Sequence, residues 1–361
     1  MPSTRPTRDR ATIHDVAAHA GVSKSLVSLV LRDQPHVSTA RRTAVWRAVD
    51  ELGYRPNAVA RSLASRHSRV VGVLVLDLHN PVFVEILDGL SGGPANPDVT
   101  MLLVSAGGDP AREHELLLSL LDLQADGVAL VGHRLPPATI DKVADERPLV
   151  VVTRRDIRRP GVDTVCNDDA AGARLAVDHL VGLGHRRIWH LSGGGSAVAR
   201  DRRRGYEAAM AAHGLADVAH VVDAGFTDEA GFEAAAALIS GRQPPTAVFV
   251  ANDFSALGAM AGLEQAGMRV PGDISVVGYD GMALGAMRRI DLTTVAQPLP
   301  QMGRIAAELL SSRIQQPGRR ARNVVLQPQL AARSSSAGPP GSATLVGPPG
   351  SADAPGPDGR G

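Results

Sequence analysis

The sequence is short of several features that mark whole classes of protein. Only one cysteine, Cys166, occurs among the 361 residues, so neither an internal disulfide nor a cysteine-rich metal site can form. No apolar run approaches the roughly 18 residues needed to cross a bilayer, so we expect no membrane span. The polar N-terminus has no apolar stretch after its charges, so we expect no secretory signal. These absences fit a protein of the reducing cytoplasm.

Sequence signatures of catalysis are missing as well. The chain contains no G-x-S-x-G turn, no H-E-x-x-H zinc motif and no G-x-x-x-x-G-K-[ST] phosphate loop. The glycine-rich stretch at residues 193–195 is not followed by the third spaced glycine of a dinucleotide fingerprint. His185 and His190 have no acidic third ligand near them in the sequence. We therefore predict no catalytic residue, no metal site and no cofactor.

What the sequence does contain is an uneven distribution of charge and enough apolar residues for a large core. Apolar residues make up 44% of the chain, so most of it should fold. Residues 1–69 carry 12 Lys and Arg against 5 Asp and Glu, a net of +7, whereas the remainder carries 26 against 32, a net of −6. A basic head on an acidic body predicts a polyanion-binding module joined to a body with another task.

The stretch TIHDVAAHAGVSKSLVSLVL, residues 12–31, predicts how the basic head folds. Its apolar residues have helical spacing but are interrupted at residues 20–22, which predicts two helices joined by a turn. Thr12, Ser23 and Ser38 can cap three successive helices. This arrangement is typical of a helix-turn-helix, whose second helix lies in the major groove of DNA. The alternative is a small helical subdomain without a nucleic-acid partner.

From Val70 onward, short β-rich runs alternate with helical segments. The strands are almost continuously apolar, which predicts doubly wound parallel sheets in an α/β body. There are too many strands for one small sheet, so we expect two lobes. We place the first boundary near Thr153–Asp163 and the return of the chain near Tyr279–Thr294. Residues 334–361 are rich in Gly, Pro and Ser and are predicted to be disordered.

Five stretches resemble motifs of the lactose-repressor/galactose-repressor (LacI/GalR) family. They are residues 12–31, GYRPNAVARSLAS, HLVGLGHRRIWHLSG, VANDFSALGAM and PGDISVVGYDG, and the resemblance covers roughly residues 11–333. It implies an all-α helix-turn-helix DNA-binding head and an α/β two-lobed body like a periplasmic binding protein. It also implies a transcriptional regulator, a repressor that binds a near-palindromic operator in double-stranded DNA as a homodimer. A small-molecule effector, a sugar or sugar derivative, would control it.

The resemblance sets the domain boundaries that we expect. They are a disordered N-terminus at 1–10, a helix-turn-helix domain at 11–56, a hinge helix and linker at 57–69, an effector-binding and dimerisation body at 70–333, and a disordered tail at 334–361. The family that this sequence resembles includes tetrameric members with a C-terminal helix of leucine heptads. Residues 334–361 carry no such heptads, so the resemblance implies a dimer. Glycines and prolines at residues 92–97 should end the preceding helix early, which leaves the geometry of that dimer edge open.

The family pattern assigns DNA contacts to residues of the head. Lys24 and Ser25 match the base-reading pair at the start of the second helix. Leu29 stands where many members carry Arg, and leucine offers a base only an apolar contact such as one to a thymine methyl. Other polar residues are expected either to contact phosphates or to cap helices. They are Thr12, Ser23, Ser28, His36, Ser38 and Thr39.

The hinge helix implied by the resemblance would form a second DNA-binding element. Asn57 would begin this helix, and Ala60 would allow the partner copy to approach closely. Leu63 matches the family's wedge, an apolar side chain that is inserted at a base step and kinks the duplex. The other interpretation of Leu63 is a leucine that only packs between helices.

In the body, the family's effector-contacting positions fall at the carboxyl ends of strands, where α/β proteins bind small molecules. They are Val82, Phe83, Arg202, Phe226, Asn252, Asp280 and Gln297, and Arg155, at the end of the VVVT strand, is a further candidate. A carboxylate, an amide and a guanidinium beside an aromatic ring suit a sugar, whose neighbouring hydroxyls bind charged groups bidentately. Three alternatives stay open at this point: Phe83 as plain core, another arginine of 200–204 in place of Arg202, and an acidic ligand if Arg154 or Arg155 faces inward. We interpret Asp253 as a cap of the helix near Ser255.

Overall fold

The computed structural model describes residues 11–31, 35–54, 68–92, 99–240 and 243–341. It divides into a head, which ends at Val70, and a body, which begins at Val71. The expected hinge helix, with its contacts at Asn57, Ala60 and Leu63, lies outside the described residues. Among the described residues, no helix is long and apolar enough to cross a membrane.

The head contains three helices: α1 (Ile13–His19), α2 (Lys24–Leu31) and α3 (Thr39–Leu52). Thr12 caps α1 through a capping box, in which its hydroxyl accepts from the Asp15 N–H and the Asp15 carboxylate accepts from the Thr12 N–H. The turn between α1 and α2 contains Gly21 with a φ of +63°, a left-handed conformation that favours glycine. The structure therefore has the short helix, turn and second helix that the sequence predicted.

The core of the head consists of small and β-branched side chains from all three helices. Val16 of α1, Val27 and Val30 of α2, and Val45 of α3 are completely buried. Burial of a valine contributes roughly 1.5–3 kcal/mol, so this cluster outweighs the small gains from capping. Ala17 of α1 is also buried, whereas Ala20 and Val22 around the turn are half-buried.

The body contains two six-stranded sheets. Its strands are β1 (Val70–Val75), β2 (Thr100–Ser105), β3 (Gly127–Val131), β4 (Leu149–Val152), β5 (Val162–Asn167), β6 (Ile188–Ser192), β7 (His220–Asp223), β8 (Ala247–Val250), β9 (Ser275–Asp280), β10 (Thr293–Ala296), β11 (Asn323–Leu326) and β12 (Gln329–Ala331). The first sheet has the order β11-β5-β4-β3-β1-β2 and the second the order β12-β10-β9-β8-β6-β7. Only β12 pairs antiparallel among the strand pairs whose register the structure describes.

Helices cover both sheets. They are α4 (Pro81–Ser91), α5 (Pro110–Asp122), α6 (Pro137–Glu146), α7 (Asp169–Gly182), α8 (Ala197–Ala212), α9 (Asp228–Ile239), α10 (Asp253–Gln265) and α11 (Leu299–Gln315). Asn80 and Asp109 cap α4 and α5, each followed by a proline at the first helical position. Helix α4 ends at Ser91, before the glycines and prolines that predicted an early end. Because helices cover both faces, β3, β4 and β9 are buried along their whole length.

The boundaries between the lobes lie later in the chain than the sequence predicted. Strand β5 pairs with β4 in the first sheet, so the chain crosses after Asn167 rather than within Thr153–Asp163. It returns after Ala296, not within Tyr279–Thr294, because β10 still pairs with β9. A third crossover separates β11 from β12. A strand buried on both faces has no alternating pattern, so its sequence does not tell which sheet it joins.

The prediction of disorder from residue 334 onward is wrong for residues 334–341. Ser335 is buried, and its hydroxyl donates to the Val276 carbonyl at 2.7 Å while accepting from the Thr293 N–H at 2.8 Å. The His185 ring contacts the Ala337 carbonyl at 2.7 Å. The composition of this segment indicated disorder. Composition alone does not show that the segment forms hydrogen bonds with backbone groups of β9 and β10. Residues 342–361 lie outside the described part of the chain.

Candidate DNA-binding face and effector cleft

Helix α2 is held by one face and presents the other to solvent. Val27 and Val30 are completely buried in the head, whereas Lys24, Ser25 and Leu29 are exposed. Leu29 is 41% exposed, so its side chain is accessible from solvent. The three residues that the sequence assigned to base reading therefore share the accessible face of the second helix. Ser28, assigned with the phosphate-contacting group, is half-buried.

The remaining polar residues assigned to DNA divide into caps and exposed side chains. The hydroxyl of Ser23 accepts from the Leu26 N–H at 3.2 Å, so Ser23, like Thr12, acts within its own helix. Ser38 occupies the cap position of α3, but its hydroxyl makes no capping bond in the described part of the head. His36, Ser38 and Thr39 are all exposed around the start of α3.

In the body, the second lobe brings several expected effector contacts to one edge of its sheet. Gly193, Phe226, Asn252 and Asp280 each lie at or just beyond the carboxyl end of a strand. The Phe226 ring rests against Gly193, where any larger side chain would overlap it. The Asn252 amide accepts from the Ser255 N–H at 3.0 Å and donates to the Phe226 carbonyl at 3.0 Å. Asn252 therefore fixes both the start of α10 and the backbone that carries the aromatic ring.

Arg202 is at the centre of this edge and is 3% exposed. Its Nε donates to Asp169 Oδ1 at 2.9 Å, and its Nη1 lies 3.3 Å from Asp280 Oδ1 and also donates to the Ala251 carbonyl. The guanidinium carbon lies 3.7 Å from the centroid of the Tyr279 ring. The other arginines of residues 200–204 are exposed, so Arg202 is the buried member of this group.

Asp280 combines an uncommon backbone conformation with a perturbed carboxyl group. Its φ is +119°, which residues other than glycine rarely adopt and which is often found at functional sites. Gln297 Nε2 donates to its Oδ1 at 2.7 Å. Burial raises the pKa of Asp280 to about 7, against the opposing effect of Arg202, and the nearby charge of Asp253 adds to the increase. Three of the expected effector contacts therefore form one hydrogen-bonded group: Arg202, Asp280 and Gln297.

Asp253 is structural, but not as the helix cap that the sequence suggested. Asn252 caps α10 and Asp253 is the first residue of the helix. Its carboxylate instead accepts from the Thr294 hydroxyl at 2.6 Å and from the Met282 N–H at 2.7 Å. Burial raises the pKa of Asp253 to about 6. Asp253 therefore joins β10 to the segment that follows β9.

The expected contacts of the first lobe are two apolar core residues and one partly exposed arginine. Val82 and Phe83 are 6% and 9% exposed and belong to the core of that lobe. The Phe83 ring rests on Gly132. Arg155 is partly exposed and lies 3.5 Å from Asp168, while Arg154 pairs with Asp156 at 2.7 Å. Neither arginine is an unpaired cation at this edge, which weakens the case for an acidic ligand.

The sequence reasoning missed four buried polar residues in or close to the ends of strands. Asp169 and Tyr279 contact Arg202, and Asn167 donates to the Tyr279 hydroxyl at 2.6 Å. His133 follows β3 and is buried, and neither ring nitrogen has a hydrogen-bond partner among the described residues. Burial lowers the pKa of His133 to about 3, so the ring is neutral. The available signal was a polar residue at or just beyond the end of a strand: Asn167 is the last residue of β5, and His133 lies two residues after β3.

Comparisons with known proteins agree with both parts of this architecture. Residues 12–57 match the sequence model of bacterial regulatory proteins of the lacI family, and residues 177–336 match a periplasmic binding protein-like domain. The ribose operon repressor of Haemophilus influenzae is 35% identical over 328 residues, which cover 90% of this chain and 98% of that protein. The chain belongs to the LacI family. The PurR repressor of Photobacterium profundum is 34% identical with the same coverage.

Solved structures of LacI-family proteins resemble this one over most of its length. The lac repressor dimer bound to operator and the anti-inducer ONPF is 28% identical, with a TM-score of 0.82, 91% of this chain covered and 100% of that chain. A family regulator from Enterococcus faecium with bound ribose is 28% identical, with a TM-score of 0.68, 74% of this chain covered and 98% of that chain. This LacI-family chain is a DNA-binding transcriptional regulator and not an enzyme.

Proposed function

We propose that this regulator is a homodimeric repressor that binds a near-palindromic operator in the bacterial cytoplasm, under the control of a small effector in its cleft. The exposed face of α2 carries the DNA-binding part of this proposal. Lys24 and Ser25 lie in the first turn of that helix, the part that reaches base edges when a recognition helix enters the major groove. Two similar proteins are repressors, and the lac repressor structure is a dimer on its operator.

Different residues of the head and the hinge helix make different kinds of contact with the operator. Lys24 and Ser25 read bases by hydrogen bonding, and Leu29 adds an apolar contact. The exposed side chains at the start of α3 contact phosphates and set the register. In the hinge, Asn57, Ala60 and Leu63 act in the minor groove, where the leucine kinks the duplex at a cost of roughly a few kcal/mol. Added contacts with the bent DNA offset that cost.

An apolar surface of the first lobe supports the homodimer. Strand β2 is at the free edge of its sheet, and its Met101 and Leu103 side chains are exposed. Val84 of α4 is also exposed. An unprotected edge strand with apolar side chains favours pairing with another chain, and a second copy brings the same surface to a twofold axis. We expect Val84→Glu to yield monomers in light scattering, whereas Val218→Glu, with the same 39% exposure in the other lobe, should leave a dimer.

The charges around Arg202 support a neutral, hydroxyl-rich effector such as a sugar. Two buried carboxylates, those of Asp169 and Asp280, contact this single guanidinium, and the charge of the buried Asp253 acts on Asp280. An anionic ligand would add negative charge to a cluster that already has an excess of it. Hydroxyl groups instead donate to carboxylates, and the Phe226 ring can cover an apolar face of a sugar. Ribose in a similar regulator and cellobiose in another are sugars of this kind.

Operator binding is tested by gel shift of the full-length protein with the DNA upstream of its own gene. We expect sequence-selective binding that weakens steeply as salt rises, because each phosphate contact releases counterions. Lys24→Ala should reduce both affinity and selectivity, whereas Lys142→Ala on α6 of the body changes the same charge without touching DNA. Equal binding to scrambled DNA would contradict the proposal.

Effector class is tested by thermal shift with D-ribose, other neutral sugars and the corresponding sugar phosphates. A neutral sugar should raise the unfolding midpoint, because a ligand that binds only the folded state stabilises it by mass action. Asp280→Asn should abolish the shift, while Asp273→Asn, in an exposed ion pair, should preserve it. Stabilisation by the phosphates alone would contradict the neutral-sugar proposal and leave the DNA-binding role untouched.

A further inference from the structure

The chain crosses between the lobes three times. At two of these crossovers a polar side chain is hydrogen-bonded to the carboxyl end of the same strand, β9. Asn167 ends β5 in the first lobe, and its Nδ2 donates to the Tyr279 hydroxyl at 2.6 Å. Gln297 lies where the chain returns, and its Nε2 donates to Asp280 Oδ1 at 2.7 Å. Tyr279 and Asp280 are neighbours at the end of β9 in the second lobe. Both crossovers are therefore hydrogen-bonded to one dipeptide.

The Tyr279 hydroxyl has the chemistry to extend this connection. It accepts from Asn167, so its own proton is free to donate, and the Asp169 carboxylate is its neighbouring acceptor. Burial raises the pKa of Tyr279 well above its ordinary value, so this proton is retained across the physiological range. A side chain at residue 172 would overlap the hydroxyl, and this position is glycine.

Arg202 connects the same residues to the effector cleft. Its guanidinium stacks on the Tyr279 ring at 3.7 Å, and its Nε donates to Asp169 at 2.9 Å. Tyr279 therefore contacts Arg202 through its ring and Asp169 through its hydroxyl. A movement of Arg202 upon ligand binding has to move Tyr279 or break one of these contacts, because all the groups are buried and close-packed.

We propose that Asn167 and Tyr279 are positioning residues that couple the effector cleft to the lobe hinge, by which we mean the crossovers between the two lobes and not the hinge helix of residues 57–69. Neither needs to touch the ligand. Their hydrogen bond holds Tyr279 beneath Arg202 and joins the first crossover to the second lobe. Ligand binding at Arg202 would therefore change the position of one lobe relative to the other at the crossovers. The ligand-dependent half of this statement rests on the proposed effector-binding function, whereas the hinge restraint exists without any ligand.

The hinge restraint is tested by hydrogen exchange of the full-length, ligand-free protein. Tyr279→Phe removes only the hydroxyl. The matched control is Tyr206→Phe, a fully buried tyrosine of the same lobe whose hydroxyl donates to the Ile188 carbonyl at 2.6 Å, away from the crossovers. We expect Tyr279→Phe to speed exchange at residues 167–169 roughly tenfold, the effect of one net hydrogen bond. Unchanged protection there, or equal acceleration by Tyr206→Phe, would overturn the proposal.

Coupling to the cleft is tested with D-ribose as the probe, by titration calorimetry on the wild type, Asn167→Ala, Tyr279→Phe and the double variant. Each single change should weaken binding roughly five- to twentyfold, and the double variant should be no weaker than the worse single one, because both remove the same bond. Additive losses would mean that the two residues act separately and would overturn the proposal. If the wild type binds no sugar, the proposed effector class fails, while the exchange experiment still decides the hinge restraint.

Discussion

Arg313 and Asp163 form a buried bidentate ion pair that joins α11 to β5. Arg313 Nε lies 2.7 Å from Asp163 Oδ2, and Nη2 lies 2.9 Å from Oδ1. Arg319 donates to the same carboxylate at 3.0 and 2.6 Å, and the Arg322 N–H donates to it at 2.8 Å. Asp163 is completely buried. One carboxylate thus fixes the end of the long helix, the loop after it and the approach to β11.

We predict that Asp163→Asn lowers the free energy of unfolding of the body by roughly 3–5 kcal/mol, because two buried guanidinium groups lose their counter-charge. Urea unfolding measures this change. Asp273→Asn is the control, since its partner Arg269 is exposed, and its unfolding midpoint should match the wild type. Equal midpoints for the two variants would show that the buried pair adds nothing.

The same carboxylate gives the body an acid-dependent stability. Burial alone would raise the pKa of Asp163, but hydrogen bonds from Arg313, Arg322 and Arg319 hold it below its ordinary value. A depressed pKa in the folded state means that this stabilisation is complete above the ordinary pKa of about 4 and is lost as the pH falls further. We expect the stability difference between wild type and Asp163→Asn to shrink below about pH 4, and a constant difference down to pH 2 would contradict this account.

Asp280 should make effector binding depend on pH near neutrality. Its pKa is raised to about 7 by burial, so the carboxylate that accepts ligand hydroxyls is progressively protonated below that pH. The affinity for D-ribose should be constant above about pH 8 and should fall by up to roughly tenfold per pH unit below about pH 6. Calorimetry across this range checks the prediction, and the Asp280→Asn variant should bind weakly without the pH dependence.

The raised pKa of Asp280 has the opposite effect on stability from that of Asp163. The folded chain keeps the proton to higher pH than the unfolded chain does, so the stabilisation from this proton is present below about pH 4 and is lost as the pH rises to about 7. The Asp280→Asn variant has no carboxyl group to deprotonate, so its stability does not decrease in this way as the pH rises. We expect it to raise the unfolding midpoint at pH 8 by a few degrees while it weakens effector binding. A lower midpoint would show that the carboxylate stabilises the empty cleft.

Cys166 is predicted to be unreactive in the folded protein. Its thiol is buried in β5, donates toward the Val324 carbonyl at 3.7 Å, and has its pKa raised to about 11 by burial and by the nearby Asp169. Thiolate is the reactive form, so a disulfide reagent at pH 8 should label the folded protein only as fast as it opens. The urea-unfolded chain should react at the rate of a small thiol. Equally rapid labelling of the folded chain would contradict the burial.

The sequence predicted local structure well where the signal lies within a few neighbouring residues. The cap at Thr12 and the early end of α4 are signals contained within a few residues, and both are observed. The position of the lobe boundary was wrong because it depends on which sheet β5 joins. Strand β5 joins the first sheet by pairing with β4, and the local sequence of β5 does not indicate which strand will be its neighbour.

The candidate site was predictable only as far as single side chains at strand ends. Arg202, Asp280 and Gln297 were expected and form one bonded group. Asp169 was missed because, in the sequence, it is an acidic residue at a helix start like its neighbour Asp168, which is the actual cap. Its contact with Arg202 spans 33 residues, a separation that no local pattern encodes.

Leu29 offers the sharpest test of how the head selects its operator. The side chain is 41% exposed on α2, so Leu29→Arg adds a guanidinium on the accessible face without disturbing the buried Val27 and Val30. Arginine binds the major-groove edge of guanine, which leucine cannot do, and one such contact discriminates by roughly 1–3 kcal/mol. Selection of binding sites from a randomised DNA pool should therefore shift one position of each half-site toward guanine. The Arg47→Leu variant on α3 controls for a change of charge elsewhere in the head, and an unchanged site preference for Leu29→Arg would place residue 29 away from the bases.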